Sequence, residues 1–180
     1  MKKTLLFLVL ALLPVFGFAQ GEQYYSYKTG SYDLVVSMTG QKMTTHVIFA
    51  EYGAYQYSEM EMMGQKVKTL MRDGRSWMIA PGVQEVPMED NVNYNNLTPE
   101  AIQKFGIEMV GLEEVDGYDC LVYTLKMNYQ GMEGKGKTWI WEGFPIRAEV
   151  TIMGMKLVTT LKNLELDTDV DMSLFEIPEK

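Results

Sequence analysis

His46 is the only histidine and Cys120 the only cysteine among 180 residues. Nucleophilic catalysis needs a nucleophile, a base within hydrogen-bond reach and a third group to orient the base. His46 stands in Thr44-Thr45-His46-Val47-Ile48 and Cys120 in Tyr118-Asp119-Cys120-Leu121-Val122-Tyr123, and both runs read as strands. A reactive thiol wants a basic neighbour to lower its pKa, and Asp119 acts the other way. Cys120 therefore reads as a buried structural thiol, and alone it closes no internal disulfide. There is no G-x-S-x-G, no phosphate-cradling glycine loop and no H-E-x-x-H. One histidine and one cysteine fall short of an ordinary zinc site. The carboxylates scatter along turns and strand faces rather than forming a recognisable pair. The sequence leads us to expect no catalytic residue, no metal and no cofactor.

Methionine is the compositional oddity, at 15 residues, with Met60, Met62 and Met63 clustered. Thioethers suit Cu(I), but Met60 and Met62 share a strand face while Met63 falls in the turn. Flexible apolar lining explains them better, because methionine adapts to irregular surfaces. Trp139 and Trp141 lie two apart, so they share one side of one strand. Aromatic residues are abundant elsewhere too, at Tyr25, Tyr27, Tyr55, Tyr57, Trp77, Tyr123 and Phe144. Either a large filled β core or a concave, partly filled sheet accounts for them. On the second account Val36, Phe49, Trp139, Trp141 and Val150 line an apolar cavity.

The elements that would hold these residues are strands. Runs of β-branched and aromatic residues at Leu34–Met38, Met43–Phe49, Tyr55–Met62, Val67–Met71, Trp77–Ala80, Tyr118–Met127, Lys137–Glu142, Ile146–Ile152 and Leu157–Leu166 are separated by Gly, Pro, Asn and Asp. Turn signals recur about every ten residues, the rhythm of a meander. One helix is expected at 99–105, capped by Thr98, with Pro99 at its first position and Gly106 at its end. Ile102 and Phe105 should face the protein as a lid. Three turns, at Gly40, Gly64 and Gly154, each carry a methionine and a lysine. Methionine and lysine on one rim would suit contact with an amphiphile. Several strands are apolar on both faces, so the sheet should be covered on both sides. The expected fold is mainly β: an antiparallel meander curled into an incomplete barrel with one short helix as lid or plug.

The first 19 residues read as a cleavable signal peptide. Lys2 and Lys3 precede an apolar run from Leu5 to Leu13, Pro14 breaks it, and Gly17-Phe18-Ala19 offers the small residues of a cleavage site. The run is shorter than the ~20 residues of a membrane span. No cysteine is placed to carry a lipid anchor, so residues 20–180 are expected as one soluble domain, periplasmic or secreted. The formal charge of −8 argues against nucleic acid as a partner.

In the C-terminal part, Trp139-Ile140-Trp141-Glu142-Gly143-Phe144-Pro145-Ile146-Arg147 leads into a hairpin at Met153-Gly154. The chain then closes on Asp171-Met172-Ser173-Leu174-Phe175-Glu176-Ile177-Pro178. The pattern of a tryptophan strand, a hairpin and a closing D-x-x-L-F-x-x-P resembles the lipoprotein-carrier superfamily, LolA- and LolB-like. Within it, the likeness is nearest to a family of small exported proteins of unassigned role. The resemblance implies an incomplete antiparallel barrel with a helical lid over an apolar cavity, and a lipid or an acylated protein as partner. One short helix stands where the carriers have several, and no arginine matches the one that locks their lid. The leading expectation is a lipid- or lipoprotein-binding carrier or sensor without catalysis. The alternative is an envelope or secreted scaffold with a filled core. Nothing in the sequence fixes the oligomeric state.

Overall fold

Short turns with left-handed residues cut the chain into consecutive hairpins. Thr39-Gly40, Asp73-Gly74, Asp116-Gly117 and Glu142-Gly143 each place two residues at positive φ, the geometry that matches the twist of a two-residue hairpin. Gly143 is needed twice over: its φ is +85°, and a Cβ there would strike the Tyr24 carbonyl. The computed structural model describes residues 23–62, 64–79, 82–86, 92–129, 132–152 and 154–177. The expected signal peptide lies outside the described residues, as do Met63 and Ala80.

The strands are β1 (Gly30–Met38), β2 (Gln41–Ala50), β3 (Tyr55–Met62), β4 (Gln65–Arg72), β5 (Arg75–Met78), β6 (Gln84–Val86), β7 (Glu108–Val115), β8 (Tyr118–Tyr129), β9 (Met132–Trp141), β10 (Phe144–Ile152) and β11 (Met155–Leu166). The helix α1 (Pro99–Phe105) sits between β6 and β7. All eleven strands form one antiparallel sheet in the order β6-β5-β4-β3-β2-β1-β11-β10-β9-β8-β7. The sheet does not close, so the expected incomplete barrel with one short helix is the architecture observed. The chain's ends meet in the middle: β1 pairs with β11, and each half of the meander runs outward from that seam.

Two irregularities redirect side chains. β11 carries one extra residue opposite Tyr32, where Asn163 takes φ +50°. Its side-chain amide donates to Asp33 at 2.7 Å, and His46 Nδ1 lies 2.8 Å from the other Asp33 oxygen. Partial burial raises the Asp33 pKa, but those two bonds outweigh it and hold the carboxyl below its usual value. β10 carries its extra residue between Pro145 and Arg147. An extra residue shifts the alternation of side chains along the strand. Phe144 thereby points with Trp141 into the main core, while Val150 remains on the face that carries Gly136.

Three packed groups result. The main core joins Tyr25, Tyr32, Phe49, Phe144, Val122, Trp139 and Leu161. A second, of Ala50, Tyr57, Leu70, Trp77 and Phe175, covers the other side of β2 to β5. A third, of Ile107, Tyr123 and Ile140, carries Phe105 and the loop before α1. β8 and β9 are thus apolar on both faces, as the sequence led us to expect.

Candidate functional site on the helix-bearing face

Thr98 starts α1 by accepting a bond from the Ala101 amide, Pro99 occupies the first turn, and Gly106 ends the helix at φ +54°. Seven residues are too few to hold a helix alone. Its contacts are Phe105 together with Val92, Tyr94 and Leu97, which lie against Tyr123, Leu125, Ile107 and Ile140. The rings of Tyr94 and Tyr123 are 5.2 Å apart. Burial raises the pKa of both phenols, most strongly at Tyr94. Ile102 corrects the expectation that it faces the protein: it is 42% exposed. Ala101 and Phe105, four residues apart, form the inward stripe, and Ile102 lies one step of about 100° round the helix.

Register extends this face across the sheet. Leu125 stands opposite Gly136, Gly136 opposite Val150, and Val150 opposite Leu157. Thr159 stands opposite Val36, and Val36 opposite Met43. The result is an apolar band from β8 to β2 with Val36, Ile152 and Leu157 all buried. Met60, on β3 opposite Thr45, continues it and is also buried. Thr45, Thr138 and Thr159 are buried polar members. Thr138 donates to the Arg147 carbonyl at 3.3 Å. Glycine at 134 and 136 is filled by its neighbours: a Cβ would come within 2.9 Å of Ile152 and of Leu125 respectively.

The five expected cavity residues divide between two environments. Val36 and Val150 lie on the helix-bearing band. Phe49 is fully buried in the aromatic core, 5.0 Å from Tyr25 and 5.5 Å from Phe144 by ring centres. Trp139 and Trp141 project from the opposite face of β9, since Thr138 and Gly136 occupy the helix-bearing one. The Trp139 indole N–H donates to Glu113 at 2.7 Å. Lys137 and Arg147 sit over its ring at 4.4 and 5.5 Å. Lys137 also bonds Glu113, at 2.9 Å, and these bonds hold that carboxyl below its usual value. Trp141 stacks 5.8 Å from Tyr27 and 4.9 Å from Tyr118. Both indoles are therefore enclosed by protein groups.

Cys120 is buried, with its Sγ 3.4 Å from the Tyr118 carbonyl. Burial, with Asp119 and Asp116 nearby, pushes its thiol up to about 11. Among the described residues, no three His, Cys, Asp or Glu side chains are grouped to hold a metal ion. Phe175 is fully buried against β3 to β5, but Ile177 is 43% exposed because the 3-10 turn Met172–Phe175 buries only its last residue.

No protein-family model and no curated protein matches the sequence. Solved structures do. A chain of the Pseudomonas aeruginosa MucA/MucB complex superposes with a TM-score of 0.55 at 12% identity, covering 82% of this chain and 55% of that one. A chain from the structure of MucB in complex with MucA(peri) gives 0.54 at 12%, covering 81% and 52%. A putative outer membrane lipoprotein-sorting protein domain from Vibrio parahaemolyticus gives 0.41 at 12%, covering 86% and 90%. The chain shares the fold of the matched chains of those two MucA/MucB structures. Identity this low shows the fold alone. The chain spans about half the length of the two MucA/MucB-complex chains it matches. No described helix is long and apolar enough to cross a membrane.

Proposed function

We propose that this is an exported lipid- or lipoprotein-binding protein that holds an acyl chain against the helix-bearing face, without catalysis. The observation that carries the reading is the apolar band Val36–Leu157–Val150–Leu125, continuous across the sheet and flanked by a seven-residue helix held by few side chains. Alkyl chains need apolar surface and little else, and methionine and valine supply it without fixed polar demands. The fold supports this reading. Displacement of a fluorescent fatty acid by an acylated peptide tests it. The acylated peptide should compete and the same peptide without its acyl group should not. Equal competition by both, or no uptake of the fatty acid, would remove the reading.

One observation favours a scaffold with a filled core instead. Ile152 and Leu125 already occupy the troughs left by Gly134 and Gly136. On that reading the band packs on itself and takes no fatty acid.

A further inference from the structure

The two ends of the sheet differ in charge. At the end marked by Gly53, the turns each carry a carboxylate, at Glu51, Asp73, Asp116 and Glu142. At the other end, marked by Gly40, Gly64 and Gly154, the exposed residues beside the turns include Lys42, Lys66 and Lys156. On β8 to β11 the pairing is explicit. Lys126 stands opposite Lys135, Lys135 opposite Thr151, and Thr151 opposite Lys156. These four residues form one lateral row on the sheet face opposite Leu125 and Val150, with three ammonium groups and no carboxylate, and the Lys126 stem lies against Gly106 at the end of α1. Strands about 4.8 Å apart make that row roughly 15 Å long. Like charges directly opposite one another destabilise a sheet unless something neutralises them. Carboxylates stand in the neighbouring rows: Glu149 bonds Lys156 at 2.7 Å and is held below its usual value by Lys156 and Arg147, Glu61 stands opposite Lys66, Glu133 opposite Asn128 and Glu108 opposite Thr124.

We infer that this row is a contact surface for an anionic lipid bilayer. A bilayer presents phosphates over a plane wide enough to meet Lys126, Lys135 and Lys156 together, and Lys42 and Lys66 extend the basic surface along the same end. The chain's overall charge of −8 does not prevent this contact. A strand of ten residues is about 33 Å long, and salt screens charge beyond about 8 Å, so the acidic turns act weakly at the lysine end. The apolar band runs to the same turns, through Met43, Leu157 and Ile152. The contact is independent of what that band holds.

The test is co-sedimentation of the signal-free chain with vesicles of phosphatidylcholine alone or mixed with phosphatidylglycerol. Binding to the mixed vesicles only, lost in 0.5 M salt, is expected. Lys126→Gln, Lys135→Gln and Lys156→Gln together should lower the partition coefficient about 100-fold, since each lysine at an anionic surface contributes about fivefold. Lys28→Gln and Lys162→Gln, which lie at the acidic end, should leave it within twofold. Lys→Arg at the three row positions keeps charge and should restore binding, which separates charge from misfolding. Equal binding to both vesicle types, binding to neither, or an equal loss in the acidic-end variant would overturn the proposal.

Discussion

The two ends of the sheet are built from different materials. At the Gly53 end, aromatic rings interlock: Tyr25 stacks on Phe144 at 4.0 Å and meets Phe49 edge-on at 5.0 Å. The Tyr25 and Tyr32 hydroxyls are 3.0 Å apart, and Gln56 donates to Tyr25 at 3.1 Å. Burial raises the pKa of both tyrosines, so they stay neutral. At the Gly40 end the same sheet offers methionine, valine, glycine and lysine. Rings with fixed partners give a unique, rigid packing. Methionine and aliphatic chains give a surface that can repack. The contrast places stability at one end and adaptability at the other.

The hardest test of that contrast removes a ring. Phe144→Ala should cost about 3–5 kcal/mol, because a fully buried phenylalanine leaves a cavity among other rings. Urea unfolding measures it. Phe175→Ala should cost about 3 kcal/mol by the same reasoning, whereas Ile177→Ala, at an exposed position, should stay within about 0.5 kcal/mol. If the two substitutions cost the same, the C-terminal turn is not anchored by Phe175 alone.

Smaller changes sharpen the other end. Thr98→Ala removes the helix cap and should cost about 1 kcal/mol. Hydrogen exchange at residues 99–105 should run well ahead of exchange at 120–125 in the native protein, and Thr98→Ala should widen the gap. Helix amides protected as strongly as those of β8 would make α1 a fixed plug. Phe105→Ala should raise uptake of an apolar dye while leaving the aromatic core folded. The smallest effect belongs to Cys120. Its thiol is raised to about 11, so the neutral form is favoured by the fold. That contribution is complete below pH about 9 and fades as pH rises towards about 11. Native protein at pH 8 should resist thiol-specific labelling and react fully once unfolded; fast native labelling would show that the thiol is accessible.

Strands with strong local signals were legible in the sequence. Tyr55–Met62 and Pro99–Phe105 lie where alternation and capping place them. β7 escaped because Glu108-Met109-Val110-Gly111-Leu112-Glu113-Glu114-Val115 shows little alternation. It is an edge strand whose Met109, Val110 and Leu112 are exposed, so no buried face imposed a period. β6 is three residues long and carries no periodic signal. The placement of Trp139 and Trp141 was not legible. Their spacing shows that they share a face, but which face depends on pairing across β10, and the extra residue between Pro145 and Arg147 sets that. The lysine row was only half legible. Turn motifs put Lys42, Lys66 and Lys156 at one end, but aligning Lys126, Lys135 and Lys156 took the register.

The central claim is that the helix-bearing band accommodates an acyl chain. Native mass spectrometry of the protein purified from its native source tests it most directly. A population heavier than the polypeptide by the mass of a lipid, lost on adding an acylated competitor, is the predicted result. A single species at the bare polypeptide mass, together with failure to take up added lipid, would contradict the account and leave a self-filled scaffold.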